Sequence, residues 1–150
     1  MPKILDELPK ELMDHLNEPN ILVVATADDE GKPAVDLLSW VMARDSKTVR
    51  LVISPHCSGG KNLLANGRAA LQLLGTNLAY EVRGTAKLVK EQCESVKFPE
   101  TMFDLNVEQV EENMFPATHL TGAIPYARDE GTEELHRELD AAIAEEMRTT

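Results

Sequence analysis

Five short apolar segments, each closed by a cluster of turn-forming residues, fill residues 21–89 and restrict the chain to an antiparallel β architecture. Residues 21–27 are a nearly continuous apolar run, as in a strand buried on both faces. The turn cluster Asp28-Asp29-Glu30-Gly31-Lys32-Pro33 ends it. Residues 34–43, AVDLLSWVMA, read as a second strand with polar Asp36 and Ser39 inside it. After the turn Arg44-Asp45-Ser46-Lys47, residues 48–53 alternate, with Val49, Leu51 and Ile53 on one face. Residues 69–74 form a fourth strand and residues 78–89 a fifth. In the fifth, Tyr80, Val82, Gly84, Ala86 and Leu88 share a face, and Glu81, Arg83, Thr85 and Lys87 share the other. Connections this short favour hairpins. Five or more such strands favour a closed or half-closed barrel, because closure removes exposed edges.

Helices flank this set. Leu5, Leu8, Leu12 and Leu16 have helical spacing, and Asn17-Glu18-Pro19-Asn20 stops that helix. A short helix is predicted over residues 61–66, ended by Gly67 in a left-handed cap. Beyond Glu91 the pattern is irregular, with a helix expected near residues 107–114 and no clear sixth strand. Residues 123–127 fit one poorly because Pro125 interrupts them. A last helix starts at Gly131-Thr132, where Glu133 and Glu134 suit the positive end of the dipole. Its stripe of Leu135, Leu139, Ala142, Ile143 and Met147 asks for a docking surface, on the chain's own core or on a second subunit. The whole is a mainly β chain with flanking helices, one domain over residues 1–150 with a helical C-terminal tail.

Charge and composition narrow the partners. A formal charge of −11 repels nucleic acid and anionic lipid. No run approaches the ~20 apolar residues of a membrane helix, and the N-terminus carries two early acids and no hydrophobic signal region. The expectation is therefore a cytoplasmic protein that binds neither membrane nor nucleic acid. Cys57 and Cys93 make no disulfide framework, and no CxxC, HxxxH or HxH spacing offers a metal site.

The stretch most suggestive of a ligand is SPHCSGGKN, residues 54–62, between a strand and a helix start. Free backbone N–H groups and the helix dipole attract an anion there. Glycines at 59 and 60 allow close approach, Ser58 can cap the helix or bind a phosphate, and Lys61 supplies positive charge. The same residues also suit an ordinary glycine-rich turn. A nucleotide P-loop is excluded, since Asn62 stands where Ser or Thr must hold magnesium and Pro55 where a glycine is required. Cys57 beside His56 suggests a nucleophile and base, but sequence neighbours rarely face each other. No side chain stands out as an essential catalytic acid or base, so the catalytic residues stay unknown. Trp40, the single tryptophan, suits either a core position or the flank of a flat ring.

The order of these elements resembles the FMN-binding split-barrel superfamily, of which pyridoxamine 5′-phosphate oxidase is the best-known member. The resemblance runs over residues 12–89. It rests on Ser39-Trp40-Val41-Met42, on Val52-Ile53-Ser54 with the following Lys61-Asn62-Leu63, and on Gly84-Thr85-Ala86 centred in the fifth strand. It implies a Greek-key antiparallel split β-barrel. It also implies FMN, with the flavin ring lined by Ser39, Trp40, Val41 and Met42 and the phosphate held by Ile53, Ser54 and Lys61, beside the Ser58 that the loop itself offers. A homodimer with flavin sites at its interface and a small-molecule substrate are implied as well. Gly60 stands where the oxidase has an arginine, and its C-terminal arginine–histidine substrate motif has no counterpart here. The expected activity is thus an FMN-dependent oxidoreductase of open substrate. A non-catalytic flavin carrier or sensor, or the same barrel holding haem or F420, is the alternative.

Overall fold

The computed structural model describes residues 3–150. Eight strands and three helices follow in the order β1 (Ile4–Leu5), α1 (Lys10–Leu16), β2 (Leu22–Ala27), β3 (Pro33–Leu38), β4 (Val41–Asp45), β5 (Thr48–Ile53), α2 (Ser58–Ala65), β6 (Arg68–Gly75), β7 (Leu78–Lys90), β8 (Thr101–Glu112) and α3 (Glu133–Thr149). One antiparallel sheet runs β3-β2-β6-β7-β8-β5-β4, and β1 pairs with β8. The sheet is not closed by hydrogen bonds. Its two edges, β3 and β4, are nevertheless consecutive in sequence and joined by Ser39 and Trp40 alone. The chain steps from one edge of the sheet to the other across this link, and that step makes the barrel a split one.

The predicted strand over residues 34–43 is therefore two strands. Leu38 pairs with Leu22 on one edge and Val41 with Leu51 on the other. The helix read from Leu5 begins only at Lys10. Pro9 fixes the N-cap and disfavours helical backbone in the residue before it, so Ile4 and Leu5 pair with Glu111 and Val110 instead. The helix expected near residues 107–114 is the second half of β8, which is the missing sixth barrel strand. The short helix begins at Ser58 rather than Lys61. Gly67 does take the left-handed conformation, with φ +73°.

Two cores hold this frame. Inside the barrel, Val24, Leu51, Leu71, Leu73, Val82, Phe103 and Leu105 are almost wholly buried, and α1 plugs one end with Leu12 and Leu16. Outside it, α3 lies over β5, where Val52, Cys93, Val96, Met102, Ile143 and Met147 form a second cluster. The stripe on α3 thus docks on its own chain through Leu139, Ile143 and Met147, and leaves Leu135 exposed. Both faces of β5 are covered, which is why five of its six residues are buried. At the centre of β7, a Cβ on Gly84 would lie 2.0 Å from the carbonyl oxygen of Asn106; only glycine allows the two long strands to approach there.

Candidate functional site

The split between the edges opens a cleft of about 300 Å³, near the lower end of small-molecule pockets. Its walls are Asp36, Leu37 and Leu38 from the end of β3, Ser39 and Trp40 from the link, and Val52, Ile53 and Ser54 from the end of β5. Cys57 before α2 and Glu100 before β8 complete it. Ser39 and Trp40 are paired in neither edge strand, although the Trp40 carbonyl accepts from the N–H of Val52 at 3.0 Å.

Trp40 is fixed on two sides. Its indole Nε1–H donates to Asp140 Oδ1 at 2.7 Å, and its ring stacks on Phe98 with centroids 6.3 Å apart and planes 21° apart. Asp140 also accepts from Arg128, whose guanidinium lies 5.4 Å from the Tyr126 ring centroid. Behind Trp40 is a smaller cavity of about 150 Å³, lined by Asn17, Val41, Tyr126, Arg128 and Asp140 among others. The indole is thus a rigid partition between two cavities.

Four of the sequence candidates, Ser39, Trp40, Ile53 and Ser54, come together in the main cleft. Val41 turns into the barrel core and Met42 packs in the cluster under α3. Ser58 is the exposed first residue of α2 and Lys61 an exposed residue one turn on; neither lines the cleft. The N-cap is Cys57, not Ser58. Its thiol donates to the carbonyl of Ser54 at 3.2 Å and its sulfur accepts from the N–H of Gly60 at 3.4 Å, so this thiol serves as a structural cap. His56 is exposed, and its backbone N–H donates to Ser54 Oγ.

Two acids were not foreseen as site residues. Asp36 reaches from β3 to the start of α2, where its Oδ2 accepts from the N–H of Gly59 at 2.8 Å. A polar residue inside an apolar strand was the available signal. Glu100 lies just before β8, in a stretch that carried no readable pattern. Its Oε2 is buried without a hydrogen-bond partner, and burial pushes its carboxyl up to about 7. Among the described residues no group of three or more His, Cys, Asp or Glu side chains could hold a metal ion. Nor is any helix among them long and apolar enough to cross a membrane.

The sequence matches the family model described as pyridoxamine 5′-phosphate oxidase over residues 8–120. No curated protein matches the chain. Among solved structures, HupZ of Group A Streptococcus superposes with a TM-score of 0.58 at 20% identity, covering 79% of this chain and 99% of that one. An F420 reductase superposes with a TM-score of 0.57 at 16% identity, covering 71% and 100%. HutZ, the haem storage protein of Vibrio cholerae, does so with 0.55 at 17% identity, covering 69% and 92%. These likenesses concern the fold.

Proposed function

The chain belongs to the pyridoxamine 5′-phosphate oxidase family, and on that premise we propose that it is a flavin-dependent oxidoreductase acting on a small molecule, with the flavin ring seated in the Ser39–Trp40 cleft. The observation that carries this reading is the split itself. Two sheet edges joined by two residues open a slot beside strand backbone, lined by the fixed indole of Trp40 and by Val52 and Ile53. A flat conjugated ring suits that slot. A bound flavin supplies hydride or electron transfer through its ring.

The chain's own residues bind and orient. The Ser39 hydroxyl can donate to a ring heteroatom. Trp40, held by Asp140 and Phe98, keeps one wall in place. Glu100, with its carboxyl raised to about 7, titrates near neutrality and has a buried oxygen free to meet a polar atom of the ligand. The ring half of FMN fits these residues. The phosphate half meets a mixed environment: Lys61, Ser54 and Ser58 lie on that side, but so does the Asp36 carboxylate.

A homodimer belongs to the same proposal. Val35 and Leu37 on the edge strand β3 are 69% and 66% exposed, and Leu37 lines the cleft. A second copy laid on this edge would cover both side chains and close the open side of the slot.

Titration of the protein with FMN tests the reading, because Trp40 is the only tryptophan and should be strongly quenched. Unchanged emission at saturating flavin would overturn the placement. A Soret band in the purified protein would move the ligand to haem, and the F420 chromophore would move it to the deazaflavin. Oxidation of a nicotinamide nucleotide in the presence of an electron acceptor would separate an oxidoreductase from a carrier or sensor that binds flavin without turning over.

A further inference from the structure

The start of α2 is the place where backbone N–H groups could receive an anion, and the protein has already placed one there. Gly59 N–H donates to Asp36 Oδ2 at 2.8 Å. Gly60 N–H meets the Cys57 sulfur and Lys61 N–H the Cys57 carbonyl. The N–H groups of Gly59 and Gly60 are thus capped within the chain, and that of Lys61 makes the first regular helical bond. The contact between strand and helix is close: a Cβ on Gly59 would lie 2.6 Å from Asp36 Oδ2, so a larger residue there would push the carboxylate aside. Asp36 and Gly59, 23 residues apart, form a matched pair.

The charges of the cleft agree with this. Its ionisable wall residues are Asp36, Cys57 and Glu100, and no lysine or arginine lines it. A phosphate dianion brought to α2 would have to displace Asp36 from Gly59 or lie beside its negative charge. A hydroxyl group is received differently, since it can donate to the carboxylate.

Resting on the flavin reading above, we infer that Asp36 fills the anion position at α2 and sets the cleft to take a flavin that presents hydroxyls there rather than a phosphate, riboflavin in preference to FMN. The ribityl hydroxyls donate to the carboxylate, and the phosphate of FMN meets the Gly59 and Gly60 N–H groups already taken and a like charge beside them.

Asp36→Asn separates charge from shape. The amide oxygen can still accept from Gly59 N–H, so the helix start is kept while the charge is lost. In the wild-type protein riboflavin should bind at least as tightly as FMN. In the variant FMN should gain about tenfold over riboflavin, as expected for removing one like charge within a few ångströms of a phosphate. Raising the salt concentration should narrow the wild-type preference and leave the variant nearly unaffected. Wild-type protein that binds FMN tenfold tighter than riboflavin, or a ratio unmoved by Asp36→Asn, would overturn the inference. Inorganic phosphate examines Asp36 without any flavin. Against a matched chloride buffer, millimolar phosphate should raise the thermal midpoint of the variant and not that of the wild type. A wild-type rise, or none in the variant, would also overturn it. If neither flavin binds, the flavin reading falls, and the phosphate arm still decides whether Asp36 holds the anion position.

Discussion

The indole of Trp40 donates a 2.7 Å hydrogen bond to Asp140, and this contact between residues 100 apart ties α3 to the link between the two edges of the sheet. The C-terminal helix therefore does more than cover apolar surface on β5. It holds the wall of the cleft through one polar contact and packs against it through Leu139 and Ile143.

Removing that contact should loosen the wall before it unfolds the protein. Asp140→Ala deletes the acceptor for Trp40 and the partner of Arg128. The side chain of Asp140 is 40% exposed, so the loss should fall at the low end for a hydrogen bond to a charged group, about 1.5 kcal/mol. Trp40 emission should shift to the red as the ring gains access to water. Urea unfolding with fluorescence as the probe reads both, and an unmoved midpoint with unmoved emission would count against the tie.

Arg50 makes a heavier contribution to the same attachment. Its side chain is 2% exposed, its Nε and Nη2 donate in parallel to Asp104 on β8, and its Nη1 donates to the carbonyls of Met147 and Thr150 at the end of α3. It satisfies carbonyls that a helix leaves unpaired at its C-terminus, with a charge of the favourable sign. Arg50→Ala should cost about 3 kcal/mol, since it removes both hydrogen-bonded donors of Asp104 and leaves it only Arg44 at 3.9 Å. Arg50→Lys should recover only part of this, because a lysine cannot reproduce the fork. Denaturant midpoints measure the cost, and hydrogen exchange in the last turn of α3 should rise in both variants.

How far the fold was legible depended on whether a segment's pattern was local. β5 shows the case that works: alternation and turn clusters set its bounds at Thr48 and Ile53, as observed. β8 shows one that fails. Phe103, Leu105 and Val107 alternate, but the register slips between Arg83 and Gly84 on the partner strand, and the next core residue is Val110. That bulge turns a period of two into a spacing of three, which imitates a helix. The break at Ser39 and Trp40 has no glycine or proline to announce it, because it is caused by the transfer from one sheet edge to the other. The site follows the same rule. The loop before Lys61 was readable as a place for an anion, whereas the carboxylate that fills it arrives from β3. Glu100 enters the cleft only because β8 exists.

Glu146 should make the protein sensitive to acid. Burial pushes its carboxyl up, but hydrogen bonds from Ser95, from the backbone N–H groups of Glu94 and Ser95, and from Lys90 outweigh this and hold it at about 2. The folded value lies below the unfolded one, near 4.3 for a free glutamate. The stabilisation is therefore complete above about pH 4.3 and is lost as the pH falls toward about 2, roughly 3 kcal/mol in all. Glu146→Gln should be less stable at neutral pH and should lack this fall. Unfolding free energies of the two proteins measured across that window should converge; parallel curves would exclude Glu146 as the titrating group.

Glu100 should act in the opposite sense, because burial raises its carboxyl to about 7 and no charged partner lowers it again. The folded value now lies above the unfolded one, so the neutral acid is the form the fold favours. Its contribution is whole below about pH 4.3 and is lost as the pH rises through about 7, to a total of about 3–4 kcal/mol at most. Glu100→Gln keeps the size of the side chain and removes the titration. The backbone carbonyl of Glu100, which accepts from the N–H of Cys93, is unaffected. The variant should match the wild type in weak acid and exceed it in stability above pH ~8. Denaturant midpoints taken from about pH 5 to about pH 9 measure the difference. A wild-type curve that stays parallel to the variant's through neutrality would mean that the carboxylate is already ionised in the folded protein and has found a partner in the cleft. A ligand that donates a hydrogen bond to Oε2 should shift the wild-type curve the same way, so repeating the measurement with saturating flavin tests whether Glu100 faces the bound ring.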